Sequence, residues 1–182
     1  MSVIPVGYRF YKPLIDAAAH THGLDPVLVA ALVWHESAFN TDAFRHEPAF
    51  WNRYLKHNPT YRHLNPRRVS SSYGLMQVMY CRLLEDRIPA NDQWAPELLF
   101  VPENGLDIGC AFFAELLAWA TALEPYPHRT TPEFVALAAY NGGRGGNNPH
   151  KNWPLRTAFY ATAVLGKRAV LAKESADGTH PV

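Results

Sequence analysis

Glu36 stands alone as the acidic residue in Leu32-Val33-Trp34-His35-Glu36-Ser37-Ala38-Phe39-Asn40. A carboxyl set among Val33, Trp34 and Phe39 is costly to ionise, because apolar surroundings disfavour its charged form. The run before it reads as a helix from Pro26 to Ser37, so Glu36 falls at the negative end of the helix macrodipole, which acts in the same direction. A carboxyl that keeps its proton near neutral pH can serve as a general acid. The competing reading is a Glu solvated at a frayed helix end. His35-Glu36 also opens a zinc-protease pattern, but that motif needs a second His four residues after the first, and Phe39 stands there.

Other chemistry-bearing residues lie further along. In Ser70-Ser71-Ser72-Tyr73-Gly74-Leu75-Met76-Gln77-Val78-Met79, Gly74 allows close backbone approach and Gln77 offers a neutral donor and acceptor for a sugar hydroxyl or N-acetyl amide. Met76 and Met79, read by themselves, are core residues. Asn141-Gly142-Gly143-Arg144-Gly145-Gly146 invites a phosphate-loop reading. No Gly-Lys-Ser/Thr follows, and the glycines come after a helix rather than before one, so the segment reads as a helix stop beside a cleft. Residues 41–69 interleave aromatic and cationic side chains, among them Arg45, Phe50, Trp51, Arg53, Tyr54, Arg62 and Arg67. Such a segment suits a sugar groove, a single-stranded nucleic acid or a solvated loop. Its histidines, His46, His57 and His63, lack tight ligand spacing, and no metal site is expected.

These residues need helices to hold them. Apolar spacing predicts a first helix from Tyr8 to His22 with Gly23 as its stop, and Asp25-Pro26 is a strong start for the second. A short helix is expected around Ala49 to His57. Pro102 to Ala122 reads as a buried central helix, apolar almost all round. Thr131-Pro132-Glu133 starts a helix through Tyr140, and Trp153 to Lys173 reads as a last helix with Phe159, Tyr160, Val164 and Leu165 inward. No convincing alternating strands or internal repeats appear, so the fold class is mainly α with little or no β-sheet.

Bulk properties bound the rest. At 182 residues the chain suits one domain, expected over 1–171 with a long insertion at about 41–69, and residues 172–182 are expected to form a flexible tail. A formal net charge of +1 gives no long-range pull toward nucleic acid or an anionic membrane. Cys81 and Cys110 make no disulfide framework and are expected to be buried, reduced packing residues. No secretory signal and no membrane-spanning run appear.

Three separated pieces stand in one order: Glu36-Ser37, Gly74-Leu75-Met76-Gln77 and Ala139-Tyr140-Asn141-Gly142-Gly143. Together they resemble the soluble lytic transglycosylase family, with its lysozyme-like domain, over about Tyr8 to Leu165. Glu47-Pro48-Ala49-Phe50 is similar to a segment of the phage-associated branch of that family. The resemblance implies peptidoglycan as substrate, no cofactor, and cleavage of the β-1,4 bond between N-acetylmuramic acid and N-acetylglucosamine to give 1,6-anhydro products. It implies Glu36 as acid and then base. Ser37 would support Glu36, and Tyr140 would hydrogen-bond and orient it. Gly74, Met76, Gln77, Asn141 and Tyr160 would serve the sugar cleft.

The chain departs from the family pattern in a longer excursion before Gly74, in Tyr80-Cys81 where a proline is usual, and in Gly105 where many relatives have Asn. The excursion supplies further carboxyls, Asp42 and Glu47. A hydrolytic, inverting lysozyme would need a second carboxylate to activate water; Glu47 is the candidate, against an ion pair with Arg45 or Arg53. A catalytically silent glycan-binding part of a phage particle or secretion system is a further reading, and a nucleic-acid binder a distant one. The expected partners are glycan strands and a phage-particle or secretion-apparatus component, with a monomeric protein, no nucleic acid and no membrane insertion. The expected location is a phage particle or host cytoplasm before delivery, with action on periplasmic peptidoglycan.

Overall fold

The structure is a computed structural model, which describes residues 4–85 and 96–177. The elements in chain order are α1 (Gly7–Thr21), α2 (Pro26–Ser37), β1 (Phe44–His46), α3 (Pro48–Phe50), a π-helical turn (Trp51–Leu55), α4 (Pro66–Val69), β2 (Ser71–Tyr73) and β3 (Val78–Met79). Then follow α5 (Tyr80–Glu85), a 3-10 turn (Pro96–Phe100), α6 (Pro102–Thr121), α7 (Pro132–Gly142), a 3-10 turn (Arg144–Gly146) and α8 (Ala158–Asp177). The protein is mainly helical, as expected. By its internal packing the chain divides into two compact units, Met1–His35 with Cys110–Val182, and Glu36–Gly109. The second unit contains the whole of the expected insertion.

In the first unit the start and stop signals behave as their chemistry requires. The Asp25 Oδ1 accepts the Val27 amide at 2.9 Å and caps α2. Gly23 takes the left-handed conformation, φ +65, that ends α1. Thr131 caps α7 through the Phe134 amide at 3.3 Å. Every residue of α2 from Leu28 to Trp34 is buried, so this helix is enclosed on all sides. The expectation of an all-round buried helix belongs to α2 rather than α6. In α6 the buried stripe is Leu106, Cys110, Phe113, Leu116 and Ala120, while Glu103, Asn104, Asp107 and Glu115 face solvent.

The last helix corrects a second expectation. It starts at Ala158, and residues 147–157 form turns instead. With that start, Ala161, Val164 and Leu171 face inward, and Phe159 is 93% exposed rather than buried. α7 packs on α8. The helix continues to Asp177, so residues 172–177 of the expected tail are helical; residues 178–182 lie outside the described residues.

The second unit contains a three-stranded antiparallel sheet in the order β1-β2-β3, pairing Phe44 with Tyr73, Arg45 with Ser72 and His46 with Ser71, then Ser72 with Met79 and Tyr73 with Val78. Strands of two or three residues are too short for alternation to register in sequence, which is why they escape pattern reading. They have a large structural consequence. β1 and β2 pair the two ends of the long excursion, and the Glu47 amide donates to the Ser70 carbonyl at 2.9 Å. Leu55, Tyr61 and Val69 are buried along its course, and the Tyr61 hydroxyl donates to the Cys81 carbonyl at 3.4 Å. The expected short helix is present as α3 and the π-helical turn. Cys81 and Cys110 are both buried free thiols, as expected.

Candidate active site

Glu36 and Ser37 are the last two residues of α2, both partly exposed. Two consecutive non-glycine residues, Ala38 (φ 50) and Phe39 (φ 64), then adopt left-handed backbone, and Phe39 is buried. Left-handed conformations at residues with a Cβ cost about 1–3 kcal/mol each and persist only where surrounding structure enforces them. Here the enforcement is visible. The Asn40 amide donates to the Ser37 carbonyl at 3.0 Å, the Asp42 amide to Asn40 Oδ1 at 3.0 Å and the Ala43 amide to the Asn40 carbonyl at 3.3 Å.

The Ala43 carbonyl ties the second motif piece to the segment that follows the first. It accepts the Gly74 amide at 2.9 Å and the Gln77 side-chain Nε2–H at 2.9 Å, while Gln77 Nε2 also donates to the Gly74 carbonyl at 3.1 Å. The turn at Gly74–Gln77 is thereby tied to the segment that leaves Glu36-Ser37. Gly74 is required twice over: its φ is +73, and a Cβ there would be built into the carbonyl oxygen of Leu99. Gln77 is a third non-glycine residue in left-handed backbone, φ 49. Met76 is 0% exposed and Gln77 8%, so both side chains support the turn from within. A Cβ on Gly109 would collide with the Met76 side chain, and one on Gly105 would stand 2.7 Å from the Leu99 carbonyl oxygen. Gly105 thus keeps the start of α6 close to the backbone of Leu99.

Glu47 forms the ion pair anticipated as the alternative to a base role. Its Oε1 accepts both Arg45 Nε–H at 3.0 Å and Nη2–H at 2.9 Å. Asp42 is exposed.

In the first unit, Tyr140 lies near the end of α7 with its ring against Phe112 (centroids 5.2 Å apart) and Phe113 (6.0 Å). Asn141 is exposed. Gly143 (φ +74) ends the helix, its amide donating to the Ala139 carbonyl at 2.8 Å. The following glycine-rich turn is held by Asn147, a buried residue that sequence reasoning passed over. Its Nδ2 donates to the Gly143 carbonyl at 2.9 Å and its Oδ1 accepts the Thr157 amide at 3.0 Å. Tyr160, expected from the resemblance to serve the cleft, packs edge-on against His35 with ring centroids 4.7 Å apart.

His35 and Lys167 are a second pair that the sequence did not point to. Lys167 Nζ lies 3.1 Å from His35 Nδ1 and 5.6 Å from the centre of the Trp34 ring. An ammonium has no acceptor capacity, so Nδ1 must accept and the imidazole proton resides on Nε2. Burial first, and the Lys167 charge second, hold the His35 imidazole below its usual value. The signal for this pair was the recurrence of Tyr160, Val164, Lys167 and Leu171 on one helical face. Among the described residues no group of three or more His, Cys, Asp or Glu side chains is placed to hold a metal ion. Nor is any described helix long and apolar enough to cross a membrane.

The family model described as Transglycosylase SLT domain matches residues 13–159. The chain belongs to that family. All three motif pieces fall inside the matched span, and Tyr160 stands just past it. The membrane-bound lytic murein transglycosylase C of Sodalis glossinidius is 28% identical over 138 residues, 74% of this chain and 32% of that protein. The protein of the same name from Serratia proteamaculans is 28% identical over 140 residues, with the same coverage. Among solved structures, an inactive mutant of lytic transglycosylase Slt from Pseudomonas aeruginosa superimposes with a TM-score of 0.60 at 18% identity, covering 91% of this chain and 24% of that one. The 70 kDa soluble lytic transglycosylase of Escherichia coli gives a TM-score of 0.57, also at 18% identity. This SLT domain therefore has the lysozyme-like fold that the resemblance implied. It spans about a third of the length of the curated relatives it matches.

Proposed function

We propose that this SLT domain is a peptidoglycan lytic transglycosylase that cleaves the β-1,4 bond between N-acetylmuramic acid and N-acetylglucosamine. The observation that carries the reading is the family match over residues 13–159, which takes in Glu36-Ser37, Gly74–Gln77 and Ala139–Gly143 in that order. In this reading Glu36 is the catalytic residue. The end of α2 favours the protonated carboxyl, since the macrodipole is negative there. Glu36 donates that proton to the glycosidic oxygen as the C1–O bond breaks through an oxocarbenium-like state. The carboxylate left behind accepts the proton of the muramic 6-hydroxyl, whose oxygen closes on C1. The product is a 1,6-anhydro sugar, and no water is consumed.

Ser37 and Tyr140 carry the supporting roles that the resemblance implies. Gly74, Met76 and Gln77 contribute by fixing the turn, in keeping with their burial, and exposed Asn141 and partly exposed Tyr160 supply polar groups. Glu47, with Oε1 occupied by Arg45, is assigned a structural role rather than that of a second base.

Digestion of purified sacculi followed by mass spectrometry tests the reading. Anhydromuropeptides, lighter than the hydrolysed products by one water, are expected. Reducing-end muropeptides alone would convert the reaction to that of a hydrolytic lysozyme. Glu36→Gln should lower the rate by about a hundredfold to ten-thousandfold, and an unchanged rate would remove Glu36 from the mechanism.

A further inference from the structure

Four residues after Glu36 stands Asn40, which none of the motif pieces contains. Its amide donates to the Ser37 carbonyl at 3.0 Å, its carbonyl accepts the Ala43 amide at 3.3 Å and its Oδ1 accepts the Asp42 amide at 3.0 Å. Asn40 and its side-chain bond are exposed, so what that bond supplies is shape: it sets the turn that presents the Ala43 carbonyl.

The Ala43 carbonyl in turn accepts the Gly74 amide at 2.9 Å and Gln77 Nε2–H at 2.9 Å, while Nε2 gives its second proton to the Gly74 carbonyl at 3.1 Å. A primary amide has two N–H donors. Both are committed inside the protein by a side chain only 8% exposed, and none is left for a sugar. From Gln77 the bonds run through Ala43 and Asn40 to the carbonyl of Ser37, the residue after Glu36, and every residue in this chain of bonds belongs to the second unit. Left-handed Ala38 and Phe39 lie within its span, and such backbone persists only where surrounding structure enforces it. Slackening these bonds therefore frees the turn on which Glu36 is mounted.

We propose that Asn40 and Gln77 are positioning residues for Glu36, Asn40 by shaping the turn that presents the Ala43 carbonyl and Gln77 by donating to it. The inference rests on the reading of Glu36 as the catalytic residue and deepens it. A reacting group misplaced by about 1 Å loses about a hundredfold in rate. Residues that only hold the end of α2 thus act on the chemical step and leave binding of the glycan unchanged.

Asn40→Ala is compared with Gln77→Met, which keeps the side-chain length and loses both donors, on soluble peptidoglycan fragments. Each should lower kcat by about tenfold or more with KM within about twofold of wild type. The double variant should lie within about twofold of the worse single variant, because both break one chain of bonds. Asn40→Ser keeps a neutral oxygen acceptor and should recover part of kcat. Asn58→Ala is the control for a merely structural role. Asn58 makes the same pair of bonds, Oδ1 with the Thr60 amide at 2.9 Å and its carbonyl with the Tyr61 amide at 3.1 Å, to partners inside the excursion. Its loss should lower stability to urea and spare kcat. A raised KM with unchanged kcat in Gln77→Met, multiplicative losses in the double variant, Asn40→Ser no better than Asn40→Ala, or an equal fall in kcat for Asn58→Ala would each overturn the proposal. Exposed Asn40 carries the test if Gln77→Met does not fold.

NMR reads the same bonds without turnover. Asn40→Ala should shift the carboxyl carbon resonance of Glu36 and speed exchange of the distant Gly74 amide, and Asn58→Ala should change neither. An unmoved Glu36 resonance in Asn40→Ala refutes positioning whatever the activity. If the wild type releases no anhydromuropeptides, or Glu36→Gln keeps the full rate, the proposed function fails, and the NMR comparison still decides whether Asn40 and Gln77 hold Glu36.

Discussion

Replacing Gly74 by alanine imposes two demands on the turn at once, and the structure offers a control for each. Gly23 has nearly the same left-handed backbone, φ +65 against +73, but a Cβ there would meet nothing within 4 Å. Gly23→Ala should therefore show the conformational penalty alone, about 1–2 kcal/mol. Gly109 lies within α6, carries no left-handed strain, and would drive a Cβ into the fully buried Met76. Gly109→Ala gains about 1 kcal/mol of helix propensity and loses about 1–3 kcal/mol to overpacking. Gly74→Ala combines the left-handed penalty with a collision against the Leu99 carbonyl, a backbone atom that cannot rotate aside. Its cost should be about 2–5 kcal/mol.

Urea unfolding of the three variants, with the slope checked for constancy, measures the differences directly. Gly74→Ala should exceed Gly23→Ala by about 1–3 kcal/mol. If the two agree within about 0.5 kcal/mol, the close approach of Gly74 to Leu99 is not a determinant of the turn.

Two further predictions concern groups that pattern reading passed over. Asn147→Ala removes a buried side chain and its two part-buried bonds to the Thr157 amide and the Gly143 carbonyl, so it should cost about 1–3 kcal/mol in chemical denaturation. Asn152→Ala removes one exposed bond to the Gly145 carbonyl and should cost under about 1 kcal/mol; equal costs would contradict this. For His35, an imidazole held below 6.5 in the folded protein means that the unfolded chain binds more protons as pH falls. Its stability contribution is present above the unfolded value and is lost on acidification through the folded one. An NMR titration should place His35 below 6.5, and Lys167→Met should move it upward without restoring it fully, because burial is the larger cause. An upward shift in the wild type would refute the assignment of Nδ1 as acceptor.

The helices were legible because their signals are local. Asp25-Pro26 and Thr131-Pro132 announce α2 and α7 through capping chemistry that depends on residues a few positions apart, and Gly23 announces the end of α1 through its own backbone freedom. The order Glu36, Gly74–Gln77, Tyr140 was legible as a family pattern, and Glu36 does end its helix as expected. The sheet was not, since strands of two or three residues leave no alternation to read. The start of α8 was missed for a related reason. Apolar residues from Trp153 onward suit a helix, but Asn147 and Thr157 bind that segment into turns by bonds that span ten residues.

The sequence by itself determined that this is a mainly helical chain with one suspect carboxyl at a helix end, because periodicity, caps and motif order are properties of neighbouring residues. Only the tertiary structure decided how that carboxyl's surroundings are held. Ala38, Phe39 and Gln77 take left-handed backbone with no glycine to announce it, and Gly74 and Gln77 converge on the Ala43 carbonyl from more than thirty residues away. The bonds that tie Gly74 and Gln77 to Ala43 join segments far apart in the chain, so no local window of sequence contains their cause.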